Sequence, residues 1–210
     1  MRINEIANRG FFYNQEDAIN ALIAGELVQY VKGDLNLHSV KNISIRGNLT
    51  VTGTLSIYNA DSLPDKLRVG SLSILGGSHK LPDTLVIQNS LSIDERTYIS
   101  LPNDLVVPGN LSIVGTRLRE FPSTVKVGGN ITLRRCGLNE LPNNLVVNGD
   151  LDIEANSIEH LPNDLVVGGD LNLLNTWIDD IPKTIRVGGT ITGKQGGTIN
   201  QERLWDTVNY

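Results

Sequence analysis

Asp150, Asp152 and Glu154 alternate along one short segment, and Asp170 follows 20 residues after Asp150. In an extended chain, alternation puts all three on the face opposite Leu151 and Ile153. Carboxylates grouped this way could work as an acid–base pair or hold calcium. No Asp/Gly calcium-loop pattern recurs around them, so a solvated acidic patch is the expectation. Cys136, the single cysteine, is a second candidate, as a nucleophile. No His stands at a fixed spacing from it. His38, His79 and His160 are scattered, without H-x-x-x-H or H-E-x-x-H spacing. A lone Cys forms no intrachain disulfide and builds no Cys-based zinc site. The Gly-Gly pairs at 128–129 and 168–169 lack a following Lys-Ser/Thr, so they are not phosphate loops. The N-x-S/T triplets at Asn42, Asn48, Asn110 and Asn130 lie in or beside extended segments. The N-terminal residues hold no apolar stretch of a secretory signal, so glycosylation is not expected and a cytoplasmic location is. No apolar run approaches the ~18 residues of a membrane span. These residues predict no catalytic, metal or cofactor site and a protein that is not an enzyme.

The elements that position these residues follow from a repeat. Pro82, Pro102, Pro122, Pro142, Pro162 and Pro182 are spaced 20 residues apart, and Pro64 precedes the first by 18. Within each unit a branched aliphatic pair (Val125/Val127, Leu145/Val147, Leu165/Val167) is followed by a corner rich in Gly or Asn. A second pair comes next: Leu91/Ile93, Leu111/Ile113, Ile131/Leu133, Leu151/Ile153, Leu171/Leu173. Spacing of two within each pair predicts short strands with one buried face. The corner glycines are expected to turn the chain through positive φ. Strands this short stand only when stacked, about 4.8 Å per turn, into parallel ladders around a continuous aliphatic core. With 21 Gly in 210 residues and aromatics at 5%, the composition agrees with many corners and an aliphatic core.

Residues 151–162, LDIEANSIEHLP, match L-x-L-x-x-N-x-L-x-x-L-P, and LSIVGTRLREFP, ITLRRCGLNELP and LNLLNTWIDDIP keep the frame at 111–122, 131–142 and 171–182. The chain thereby resembles the leucine-rich repeat family, in its short 20-residue bacterial and bacteriophage forms. The resemblance implies an inward ladder position at Thr116, Cys136, Asn156 and Thr176, where a small polar side chain satisfies backbone groups. In that frame Cys136 is structural. One departure matters: Gly168 stands where the family has a Leu three residues before Leu171. The turns are therefore expected to be β-helix-like, with two strands each and no room for a helix.

The expected fold is mostly β, a parallel β-solenoid of leucine-rich repeat type with 20-residue turns, forming one domain. Residues 1–33 form an N-terminal cap, with a helix over about 14–25 started by Asn14 and lined by Ile19, Leu22 and Ile23. Residues 34–63 are irregular first turns, with strand-like DLNL at 34–37, ISI at 43–45 and GNLTVTGTLSI at 47–57, and include a hairpin. The solenoid proper spans 64–192. Residues 193–210 form a C-terminal cap or a partner-binding tail, with Trp205 covering the last turn.

Charge is unevenly spread. The net charge is -5, which argues against general nucleic-acid binding. Residues 137–182 hold nine carboxylates and no Lys or Arg, whereas 117–136 hold Arg117, Arg119, Lys126, Arg134 and Arg135 against Glu120. Such polarity would steer a charged partner. In the family, ligands meet the outward positions of the parallel sheet. Carried over, these include Asp94, Asn110, Asn130, Arg134, Asp150, Asp152, Glu154, Asp170 and Asn172, with Trp177 and Tyr98 as flanking aromatic anchors. The expected function is non-enzymatic protein binding by a monomer or homodimer, without a cofactor and away from membranes. Its specific form would be a phage-encoded inhibitor occluding a host or defence protein with a basic surface. The rival is a structural component of a virion or fibre, assembling through solenoid ends.

Overall fold

The computed structural model describes residues 10–40, 45, 47–58, 63–77, 79–94, 98–118 and 120–199. The described residues form a stacked series of parallel turns, mostly β with one helix, a β-solenoid of about 8 turns. The main sheet is parallel and in register along its length. Leu91, Leu111, Ile131, Leu151, Leu171 and Ile191 are successive partners 20 residues apart. The column continues back through Leu72, Leu55 and Leu35. All nine side chains are buried, which is why the register holds: a slip of one residue would turn the whole column to solvent.

Each full turn has a second short strand at the upstream aliphatic pair. Val106–Val107 pairs with Lys126–Val127, and Val146–Val147, Val166–Val167 and Arg186–Val187 form a ladder of their own. Three earlier turns add a third side, through His79–Lys80, Tyr98–Ser100 and Arg117–Leu118. In the first turns the two strands fuse. Asn48–Tyr58 and Lys66–Leu75 each run straight through the corner, paired in parallel with a register shift between Val51 and Thr54. The hairpin expected among these first turns is not found in the described residues, where every strand pairing is parallel. The alternation there belongs to one long strand with parallel partners on both sides.

A hairpin occurs instead at the other end. Ile191–Thr192 pairs antiparallel with Thr198–Ile199 around Gly193, whose N–H donates to Gly197 O at 2.7 Å. The 20-residue rhythm stops where this return strand occupies the edge of the last turn, the device that edge strands need. Residues 200–210, including Trp205, lie outside the described residues, as do Asn42 and Arg119.

At the N-terminal end the helix spans Gln15–Ile23. Its N-cap is Asn14, whose Oδ1 accepts the Asp17 N–H at 2.9 Å, and Gly25 takes φ +74 past its end. The helix buries Ala18, Ala21 and Leu22, while Ile23 is 64% exposed. The apolar face is thus Ala18/Ala21/Leu22, with Ile19 packed at its border; the expectation for Ile23 fails because it falls on the opposite side. The helix is also part of a coil. Phe11–Phe12 before it pairs in parallel with Tyr30–Val31 after it.

Of the corner glycines, Gly33 takes φ +88, but Gly128, Gly129, Gly149, Gly168 and Gly169 of the regular turns do not turn through positive φ. In the regular turns positive φ falls at Gly115, Arg135, Ala155 and Asn175, the column just before the inward ladder, and at Asp104, Gly137 and Asn144. Gly128 serves close approach instead: a Cβ there would lie 2.0 Å from Pro108 O on the preceding turn. At Gly128 the side chain is excluded by the neighbouring turn rather than by the backbone angle.

Candidate functional site

The inward ladder is fully used for structure. Asn156 is 3% exposed. Its Oδ1 accepts the N–H groups of Cys136 and Leu138, both at 3.1 Å, and its Nδ2 donates to Leu133 O at 2.6 Å and Ile153 O at 2.8 Å. Thr116 and Thr176 donate to Val114 O and Leu173 O, at 3.0 and 2.7 Å. Cys136 donates from Sγ to Ile113 O at 3.1 Å. Burial pushes its thiol from the ordinary value near 9 up to about 12. A thiol so held is a weak nucleophile at neutral pH.

Four of the expected binding residues form a second ladder, along the corner. The Asn110 side chain accepts the Asn130 N–H at 2.8 Å, Asn130 accepts the Asp150 N–H at 3.0 Å, Asp150 the Asp170 N–H at 2.8 Å, and Asp170 the Thr190 N–H at 2.7 Å. Ser90 begins this run by accepting from Asn110 N–H at 3.1 Å. Each side chain thus satisfies a backbone donor one turn later. The glycine before each rung makes room for it: a Cβ on Gly149 would sit 1.9 Å from Asn130 Oδ1. Sequence reasoning placed these polar residues on a read-out face. The signal it missed is the Gly-Asn/Asp dyad recurring at 129–130, 149–150 and 169–170.

Asp152 and Asn172 also have local work. Their Oδ1 atoms accept the N–H groups of Glu154 and Leu174, each at 3.0 Å. The main strands are four residues long where Ser92, Ser112 or Thr132 occupies that position, and two residues long at Asp152, Asn172 and Thr192.

Across one rung, Arg134 Nε donates to Asp152 Oδ2 at 2.7 Å, its second nitrogen pairs with the same oxygen, and Glu154 lies 3.5 Å away. The hydrogen bond to Asp152 leads the effects that raise the guanidinium's pKa. The basic middle and the acidic stretch therefore meet in an ion-pair cluster rather than as two free patches. Asp94 sits in register with Val114 and Arg134 at the strand ends. Ser92 donates to it at 3.4 Å.

The two aromatic anchors differ. Tyr98 is taken up by Arg117, whose guanidinium lies 5.7 Å from the ring centroid and donates to the phenol oxygen at 3.1 Å. Trp177 is 60% exposed. It borders hollows of about 310 and 490 Å³ that share Glu159, His160 and Trp177. Among the described residues no group of three or more His, Cys, Asp or Glu is arranged to hold a metal ion. Among the same residues no helix is long and apolar enough to cross a membrane. Compared with protein-family models, curated proteins and solved structures, the chain matches none.

Proposed function

We propose that this solenoid is a non-enzymatic protein-binding module, whose contact surface is the outward face of the main sheet. One observation carries the reading. The inward columns of the main sheet, at Leu91 and Ile93 and their equivalents through Leu171 and Leu173, are aliphatic, while the outward column 92, 112, 132, 152, 172 changes from Ser and Thr to Asp and Asn on the same registered frame. The neighbouring column 94, 114, 134, 154, 174 changes even more, from Asp and Val through Arg and Glu to Leu. These side chains are part-ordered already, with Arg134, Asp152 and Glu154 holding one another. A preformed polar surface loses little freedom on docking. The hairpin that occupies the last sheet edge weighs against assembly through that end.

The finer form of the reading is an inhibitor, phage-encoded, that occludes a host or defence protein. It stands on the resemblance of the repeats and on the polar face. The test is affinity capture from a bacterial lysate with the natural chain and with a Ser112→Arg, Thr132→Arg double variant. A protein retained by the former, lost with the latter, and inhibited by the natural chain supports the reading. Retention of the same proteins by both, at equal urea midpoints, rejects the sheet face as the contact surface.

A further inference from the structure

A second surface, on a different side of the turn, has its own chemistry. Outward positions next to the inward ladder stack as Tyr98, Arg117, Gly137, Ser157 and Trp177. Tyr98 pairs with Arg117 in register, and the N–H groups of Ser157 and Trp177 donate to Leu138 O and Ile158 O on the preceding turns. Two small residues therefore lie between a large cation and a large aromatic. The surface beside them is a trough. A hollow of about 760 Å³ bounded by Asn103 and Pro142 shares Asn139 and Glu140 with the hollow that reaches Trp177, and the next reaches Asp180. Four turn spacings make it about 19 Å long, the reach of roughly six extended residues.

Its lining carries Asp104, Glu120, Glu140, Glu159, Asp179 and Asp180 and, among the described residues, no Lys or Arg. Lys194 pairs with Asp179. Glu140, Glu159 and Asp180 have no cationic partner among the described residues. These carboxylates line the same run of hollows, so one extended polycation could meet several of them at once. Trp177 adds the selective element: a flat, exposed ring at the end of an anionic channel. A guanidinium can lie on such a ring and still direct its N–H fork to a carboxylate, which an ammonium does less well.

We propose that the trough ending at Trp177 binds an extended, arginine-rich segment of a partner protein. This deepens the protein-binding reading and rests on it, while assigning the contact to a separate surface. The test is calorimetric titration of the full chain with a blocked hexaarginine peptide, at about 0.05 M and about 0.5 M salt. Binding at low salt is expected, weakened about fivefold or more by Trp177→Ala and about tenfold by Glu159→Gln with Asp180→Asn. The Ser112→Arg, Thr132→Arg variant should bind the peptide as the natural chain does, which separates failure here from failure of the sheet-face reading. Absence of heat overturns the proposal. So does affinity that Trp177→Ala leaves unchanged, or equal affinity for hexalysine or spermine, because each reduces the trough to undirected charge.

Discussion

Asp150 Oδ1 accepts the backbone N–H of Asp170, one turn later, at 2.8 Å. A Cβ on Gly169 would lie 2.1 Å from that same oxygen. The glycine and the hydrogen bond are therefore one device. Gly169→Ala must expel the Asp150 side chain and lose the bond, at a cost of about 1–2 kcal/mol. Asp150→Ala loses the same bond for a similar cost. The double variant should then be less unstable than the sum by about 1 kcal/mol, since the bond is lost only once. Urea unfolding of the four proteins gives the coupling directly, and strict additivity would show that the two residues act separately.

A different column carries strain. Ala155 takes φ +57 and Arg135 φ +53, in line with Gly115 at +64 and Asn175 at +56. The left-handed region costs an ordinary L-residue about 1–2 kcal/mol, and glycine gives back part of that through its freer unfolded chain. Ala155→Gly is expected to stabilise the fold by about 0.5–1 kcal/mol. Gly128→Ala should do the reverse, because its Cβ meets Pro108 O rather than open space. Urea midpoints moving the same way for both variants would contradict this division of roles.

The turns themselves were legible because their signal is local and repeated. Spacing of two within Leu151/Ile153 and of 20 between Leu151 and Leu171 leaves one register that buries both of these columns at once. The function of Gly128 was not legible by the same rules. Its constraint comes from Pro108, 20 residues earlier, and local turn grammar looks only at neighbours in sequence. The hairpin expected among the first turns fails for a related reason. Gly53 lies in a segment that alternates like a hairpin, but parallel strands on both sides claim its hydrogen bonds. At 193–197 no further turn follows in register, and the chain folds back on itself. Among the site residues, an outward polar side chain reads alike whether it faces a partner or lies along the corner onto the next N–H. Asn110 and Asp170 do the latter.

Asn156 is the most connected side chain of the inward ladder. It satisfies two buried N–H groups and two buried carbonyls on two turns. Asn156→Ala leaves the Cys136 and Leu138 N–H groups without that acceptor, each costing about 1–3 kcal/mol when buried. A total loss of about 3 kcal/mol or more is expected in urea unfolding. Amide hydrogen exchange should accelerate first at Cys136 and Leu138. Protection there equal to the natural chain would mean that the carboxamide is dispensable.

Cys136 makes stability depend on pH at the alkaline end. Its native thiol titrates only at about 12, raised by burial, whereas an unfolded thiol titrates near its ordinary value of 9. The native state therefore keeps a proton that the unfolded state releases between those values. Stability on this account is complete below about pH 9 and falls by about 1.4 kcal/mol per pH unit above it, until the native thiol also ionises. Other groups titrate in the same range, so the measurement is a difference. Cys136→Thr carries the residue that the same ladder position has at Thr116 and Thr176. The stability of the natural chain relative to this variant should be flat from pH 7 to about pH 8.5 and decline steadily towards pH 11. Iodoacetamide should label the native thiol no faster than the rate of unfolding. A flat difference through pH 11, or rapid native labelling, would mean that the thiol is open to solvent.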